Sequence, residues 1–185
     1  PIPVRLEDGR QCLITGTLEP IIAESGALVL TRLHRAYEEL PIQKTLLRAC
    51  VNQMLLTAAG VDAPLLKKAV FCGLDKEGQP TSRTIAVTAP TKKQAHNWLS
   101  AMAEDLMGQA HAYFLPVEAV LKGGGVPDSV YAALVAMRLD EKAGSSAYGP
   151  VPGALDYPLP DKNQLDAILT RRFAPLLQLQ QGGAE

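Results

Sequence analysis

A pair of apolar runs joined by a tight turn sets the first limit on what this chain can fold into. Cys12–Ile22 is rich in apolar and β-branched side chains, and Ala27–Leu33 forms a second such run. Between them, Glu24-Ser25-Gly26 is typical of a turn, because serine and glycine readily adopt turn conformations. Two strand-like runs separated by turn residues predict a β-hairpin, so we expect a sheet to begin before the first helix.

Helical and strand-like patterns alternate after the hairpin. Beyond Pro41, apolar residues recur at spacings of three and four over Ile42–Ala59, which predicts an amphipathic helix that ends at Gly60. Two further strands are predicted at Leu65–Leu74 and Thr81–Thr88, on either side of a polar turn.

The later helices are predicted from their start signals. Thr91–Gln94 is a capping box, in which the threonine and glutamine side chains each bond a free backbone N–H, and the helix it opens has an apolar stripe that continues to Tyr113. Asp128 begins a short helix to about Leu139, and Asp161–Gln164 begins the last one. This order of strands and helices predicts an α/β (α+β) domain with a mixed sheet flanked by helices.

The composition argues against several classes of protein. Eighteen basic against nineteen acidic residues give a net charge of −1, which argues against a strongly basic nucleic-acid module. The three cysteines are widely spaced and the three histidines lie at no metal-ligand spacing. We therefore expect reduced thiols in a cytoplasmic protein, with no disulfide, no metal and no cofactor. No apolar run reaches the roughly 20 residues that a membrane span needs.

The predicted hairpin also bears on chemistry. A strand carrying an acid, a turn, and a strand carrying D-x-K form the core of the PD-(D/E)XK nucleases, and this chain resembles that pattern with Glu19 on the first run. Such a nuclease needs oxygen ligands for Mg²⁺ from both strands and a lysine near the attacking water. Here the second run reads Leu30-x-Arg32, so the second ligand is missing, and a guanidinium is a poor base. We expect a nuclease-shaped domain with no catalytic residues, in which these three positions are degenerate.

Four stretches, in order along the chain, are similar to the C-terminal domain of RecC, the gamma subunit of exodeoxyribonuclease V. The first, Leu13–Glu19, resembles a strand with a glycine before an acid, and the second, Leu46–Gly60, resembles a helix ending in A-A-G. The third, Ala95–Pro116, resembles a helix followed by a proline. The fourth, Arg172–Leu177, resembles the R-F-x-x-P-L segment that closes RecC chains. The second departs from the family's pattern at Cys50 and at Gln53 or Met54, where a tryptophan and a histidine are usual.

The resemblance implies a fold and a role. The RecC domain has a degenerate, restriction-endonuclease-like fold that lies against the RecB helicase subunit and helps to split the incoming duplex in double-strand-break repair. By resemblance, residues 1–122 are expected to form a nuclease-like core, and residues 123–185 a C-terminal helical extension packed on the same domain. The expected function is non-catalytic. The expected partners are a RecB-like helicase–nuclease subunit, a RecD-like subunit and DNA, with no membrane.

Two surfaces are candidates for binding. A basic cluster on the hairpin and the first helix could contact DNA phosphates; its members are Arg32, Arg35, Lys44 and Arg48. The proline-rich segment 143–160 carries large side chains, and Tyr148 and Tyr157 are the expected anchors for the helicase partner. The alternative for these tyrosines is packing against the domain's own core.

Two other functions stay open on the sequence alone. The chain could be an active nuclease whose acid has moved, with Glu38 or Glu39 as the replacement ligand. A carboxylate within about 5 Å of Glu19 would favour that hypothesis. The chain could also be a protein-interaction module with no DNA contact, which a surface of mixed charge would favour.

Overall fold

In the computed structural model, the described residues are 1–18, 21–22, 27–31, 39–61, 68–108, 115–139 and 159–181. They form a mixed α/β structure, which confirms the predicted class at that level. The chain divides into two compact units. Unit 1 comprises Pro1–Glu104 with Pro175–Glu185, and unit 2 comprises Asp105–Ala174.

Unit 1 begins with a small antiparallel sheet whose first strand was not predicted. Strand β1 (Ile2–Arg5) pairs with strand β2 (Gln11–Ile14). The turn between them is closed by the Leu6 N–H, which donates to the Arg10 carbonyl at 2.8 Å. Gly9 lies in this turn with a φ of 86°, a conformation that residues with side chains rarely adopt.

The prediction of one strand over Cys12–Ile22 is wrong. The structure has two strands in this stretch, β2 and β3 (Ile21–Ile22), and they belong to different sheets. The β1–β2 ladder ends at the pair of Ile2 with Ile14. Gly16 follows this pair, and glycine weakens a strand because it has no side chain to pack.

The larger sheet of unit 1 is mixed. β3 and β4 (Ala27–Thr31) form the predicted hairpin, β4 and β5 (Lys68–Leu74) run parallel, and β5 and β6 (Pro80–Ala86) form a second hairpin. Among the described strands the order is β3-β4-β5-β6, so β3 and β6 lie at the two ends of that set. A parallel pair needs a crossover connection, and helix α1 (Glu39–Ala58) lies between β4 and β5 in the chain.

Helix α1 begins earlier than the sequence predicts. It starts at Glu39 and contains Pro41 in its first turn, where the missing proline N–H costs little because the first four N–H groups have no intrahelical partner. The predicted glycine stop is confirmed. Gly60 has a φ of 80°, and the Val61 N–H donates to the Leu56 carbonyl at 3.0 Å, which satisfies one of the last helical carbonyls.

Two more helices contribute to unit 1, α2 (Lys92–Met107) and α6 (Ala174–Gln181). The capping box of α2 is confirmed: the Gln94 N–H donates to Thr91 Oγ1 at 3.2 Å, and the Thr91 N–H donates to Gln94 Oε1 at 2.8 Å. The apolar side chains that these helices bury are those of Ala95, Trp98, Leu99, Leu176 and Leu179.

The described part of unit 2 is helical. It contains α3 (Val117–Lys122), α4 (Pro127–Leu139), α5 (Lys162–Ile168) and a π-helical segment (Leu169–Phe173). The predicted capping box at Asp161–Gln164 opens α5. The buried apolar residues that hold this unit together are Ala119, Val120, Val130, Leu134, Leu165 and Leu169.

A glycine turn joins α3 to α4. A Cβ on Gly123 would lie 2.5 Å from the backbone nitrogen of Val130, so a larger residue does not fit there. This close approach packs α3, which was not predicted, against α4. The domains predicted at 1–122 and 123–185 stay a prediction. Within the described ranges, no helix is both long enough and apolar enough to cross a membrane.

Candidate functional site

Leu30, which the sequence predicts to stand in place of a nuclease's second metal ligand, lies in the larger sheet. Leu30 belongs to β4 and is in register with Phe71 on the parallel strand β5. Phe71 is a buried core residue, only 3% exposed. At this register, both neighbouring strands therefore carry apolar residues. Glu19 and Arg32, the other two positions predicted to be degenerate, lie outside the described residues.

Two of the four basic residues predicted to contact DNA lie together on α1. Lys44 and Arg48 are four residues apart, a spacing at which side chains share one face of a helix. Arg48 is exposed and Lys44 is half-buried. Each already takes part in at least one interaction within the chain. Arg32 and Arg35 lie outside the described residues.

The predicted partner anchors, Tyr148 and Tyr157, also lie outside the described residues. Of segment 143–160, the structure describes Leu159 and Pro160. Leu159 is half-buried and packs against the core of unit 2, and Pro160 is buried. The end of this segment thus belongs to the core of its own unit.

Three buried polar atoms in unit 1 were missed by the sequence analysis. Gln53 and Thr57 lie one turn apart on α1 and are 4% and 6% exposed. Gln53 Nε2, Thr57 Oγ1 and Gln180 Nε2 are buried and have no hydrogen-bond partner among the described residues. Each such atom costs about 1–3 kcal/mol in lost hydration. The sequence did carry a signal, because Gln53 and Thr57 interrupt the apolar pattern of the helix.

Cys50 lies one turn before Gln53 on α1 and is fully buried. Burial raises the pKa of its thiol to about 12, against a smaller lowering by the Gln180 side chain. Gln180 Nε2 forms no hydrogen bond of good geometry, so the Gln180 side chain changes the pKa of the thiol less than burial does. Because the thiolate is the nucleophilic form, Cys50 stays protonated and unreactive near neutral pH.

In unit 2, one buried carboxylate joins two consecutive arginines. Asp105 Oδ1 accepts from Arg171 Nη2 at 2.8 Å, and Asp105 Oδ2 accepts from Arg172 Nε at 2.7 Å. The Asp105 side chain is 8% exposed, whereas those of Arg171 and Arg172 are 45% and 17% exposed. Both arginines lie in the π-helical segment. A search for the 3.6-residue period of an α-helix does not reveal such a segment.

These groups do not form a recognisable catalytic centre. Among the described residues, no group of three or more His, Cys, Asp or Glu side chains is placed to hold a metal ion. The Asp105 carboxylate is engaged on both oxygens by arginines. What the described structure offers is two basic residues four positions apart on α1, Lys44 and Arg48, and a sheet with Leu30 on one of its inner strands.

Comparison of the chain with protein-family models, with curated proteins and with solved structures finds no match.

Proposed function

We propose that this chain is a non-catalytic, nuclease-like domain of a RecC-type subunit in a helicase–nuclease of the RecBCD kind. Its role would be to dock the helicase subunit and to guide or split DNA during double-strand-break repair. The observation that carries the proposal is Leu30 within β4. An active nuclease of this type places a metal-binding acid there, because Mg²⁺ takes oxygen ligands and a leucine supplies none.

The topology of the larger sheet supports a restriction-endonuclease-like core. A hairpin of β3 and β4 leads into α1, and the next strand, β5, lies parallel to β4. This is the order expected when two strands, a helix and further strands follow one another in such a core. Other α+β domains share the order, so the greater weight rests on Leu30 and on the four RecC-like stretches.

A supporting role for DNA rests on α1. Lys44 and Arg48 share one face of that helix. With Arg32 and Arg35 they would form a local basic surface on a chain whose net charge is −1. Such a surface suits a few phosphate contacts, which position a duplex without reading its sequence.

Docking to a helicase subunit is the part of the proposal that an association experiment tests. We would co-express the full chain with a RecB-type helicase subunit from the same genome and measure their co-purification. The expected result is a stable complex that the double variant Tyr148→Ala, Tyr157→Ala weakens while the melting temperature of the chain is unchanged. The variant Tyr148→Phe, Tyr157→Phe keeps the rings and is the matched control.

Two outcomes would contradict this account. Failure of the wild-type chain to associate with the helicase subunit would remove the proposed role. A large drop in melting temperature on truncating the tyrosines would show that they belong to the core of the chain, and the interface claim would fail while the docking role could still stand.

A further inference from the structure

Helix α6 packs on unit 1 through one of its sides. Leu176, Leu179 and Gln180 are three and four residues apart, so they share that side of the helix. The two leucines are 5% and 6% exposed, whereas Gln178, on the opposite side, is exposed. Among the described residues, the backbone of α6 receives one bond from elsewhere in unit 1: the Thr88 N–H donates to the Leu179 carbonyl at 2.9 Å.

The contact between α6 and α1 contains polar groups that nothing satisfies. Cys50, Gln53 and Thr57 lie three and four residues apart on one stripe of α1. The Gln180 side chain acts on the Cys50 thiol, so the two helices meet at this place. Gln180 Nε2 on α6 and Gln53 Nε2 on α1 are both buried without a hydrogen-bond partner among the described residues.

These features oppose one another when α6 docks. Burying two leucines stabilises the docked helix. Each buried polar group without a partner has lost its hydration, which makes the docked state about 5- to 150-fold less populated than it would be with that group satisfied. Release of α6 breaks one backbone bond from elsewhere in unit 1, whereas the β4–β5 and β5–β6 ladders keep all of theirs.

We propose that α6 is a detachable strap on unit 1: it alternates between the docked helix and a released state in which Gln180 and the Cys50 side of α1 meet water, while the larger sheet stays folded. Such an opening is local, and its free energy is smaller than that of global unfolding. Cys50, which has no exposed surface in the docked state, reacts only in the released one. A ligand that prefers either state would shift the population between them.

Cys50 provides the measurement, and this test does not depend on the nuclease-like assignment. In the full chain with Cys12→Ser and Cys72→Ser, Cys50 is the one remaining thiol. Its rate of reaction with 5,5′-dithiobis(2-nitrobenzoate), divided by the rate in the urea-unfolded chain, gives the equilibrium constant of opening. We expect this constant to exceed that of global unfolding and to change little at low urea concentrations, because a local opening exposes little surface.

The variant Gln180→Leu removes the unpartnered group of α6 and keeps an apolar side chain of similar size. It is expected to slow the labelling of Cys50 by about 5- to 150-fold. Gln178→Leu makes the same chemical change on the exposed side of the same helix, so it is the matched control and should leave the rate unchanged. Gln180→Met gives the same test with an unbranched side chain, should leucine not fit.

Two further measurements separate release of α6 from global unfolding. Phe71→Leu, in the core of the larger sheet, should lower the urea midpoint of the chain and leave the labelling rate of Cys50 unchanged. In the wild-type chain, the Thr88 amide loses its bond when α6 is released. Its opening constant in hydrogen exchange should therefore be at least as large as that of Cys50, while the amides of the β5–β6 ladder exchange far more slowly.

Four results would overturn the proposal. Phe71→Leu could speed the labelling in proportion to the stability it removes, which would show that only global unfolding exposes Cys50. The Thr88 amide could open less often than Cys50 does. Gln180→Leu could label as fast as the wild type or faster, which would show that Gln180 Nε2 is satisfied in the docked state, for example by a buried water. Gln178→Leu could slow the labelling as much as Gln180→Leu, which would point to the stability of the helix itself.

Discussion

Arg172 donates from Nε to Asp105 Oδ2 at 2.7 Å, and the Asp105 carboxylate lies in a site where only 8% of its side chain is exposed. The neighbouring Arg171 takes the other oxygen at 2.8 Å. Removing one member of a buried ion pair leaves the charge of the other without compensation, which costs more than the intact pair contributes. The carboxylate is the shared member, so it is the residue whose loss should matter most in this cluster.

We expect Asp105→Ala to lower the free energy of unfolding by about 3 kcal/mol, because Arg172 would keep its charge in a mostly buried place. Arg171→Ala should cost less than about 1 kcal/mol, because that side chain is 45% exposed and its ion pair is screened by solvent. Urea denaturation followed by far-ultraviolet circular dichroism measures both values. Equal, small losses for the two variants would contradict the central role of Asp105.

The sequence predicts those parts of the structure that local chemistry decides. The capping boxes at Thr91 and Asp161 were visible because each is a pair of side chains three residues apart that bond the helix's own backbone. The Gly60 stop and the β5–β6 turn are similar cases. In the turn, Asp75 Oδ1 accepts from the Gln79 N–H at 2.7 Å, and Gly78 has a φ of 79°.

Features set by distant partners were not predictable in this way. β1 was missed for another reason: its partner β2 follows after a short turn, but neither strand has more than four residues to signal its presence. The bond from Arg172 to Asp105 joins residues 67 positions apart. The sequence predicts Leu30 as a degenerate position, but its pairing with Phe71 depends on a crossover through α1. Local periodicity carries no information about such pairings.

Cys50 makes the stability of unit 1 sensitive to alkaline pH. Its thiol has a pKa near 12 in the folded chain, against 9.0 for the same group without the protein environment. Above pH 9 the unfolded chain loses this proton and the folded chain keeps it, so the unfolded state is favoured as pH rises. Stability should therefore fall between pH 9 and 12, by about 1.4 kcal/mol at pH 10 relative to pH 8 from this group.

The variant Cys50→Ala should lack this part of the alkaline loss, so the difference in unfolding free energy between it and the wild type should shrink as pH rises. Cys72→Ala is the control, since Cys72 is a free, half-buried cysteine. Chemical denaturation at pH 8, 9 and 10, followed through the fluorescence of buried Trp98, gives the values. If the unfolding free energies of the wild type and of Cys50→Ala change in parallel with pH, the thiol has the same pKa in the folded and unfolded chains, and the prediction is wrong.

The chain should not cut DNA. In the proposed nuclease-like fold, Leu30 would stand in the place of the second metal ligand and supply no oxygen, so the full chain with Mg²⁺ or Mn²⁺ is expected to leave linear duplex and single-stranded DNA intact on a gel. The reference is the same preparation after heat inactivation. Cleavage above that reference, lost in Glu19→Ala, would contradict the non-catalytic proposal and would favour an active nuclease with Glu38 or Glu39 as the displaced acid.

DNA binding by the chain should be weak and sensitive to salt. The proposed surface of Arg32, Arg35, Lys44 and Arg48 would allow only a few phosphate contacts, so the slope of log K against log salt should lie at about −2 to −4. Replacing both Lys44 and Arg48 by alanine should make that slope less steep by about 2, because each phosphate contact contributes roughly −0.9. Lys93→Ala, an exposed cation on α2, is the matched control and should leave the slope unchanged. Fluorescence anisotropy with a labelled duplex over a series of salt concentrations gives the slopes.

Two results would place the DNA contact elsewhere on the chain. One is tight binding that persists at high salt. The other is a slope that Lys93→Ala alters and the α1 double variant does not.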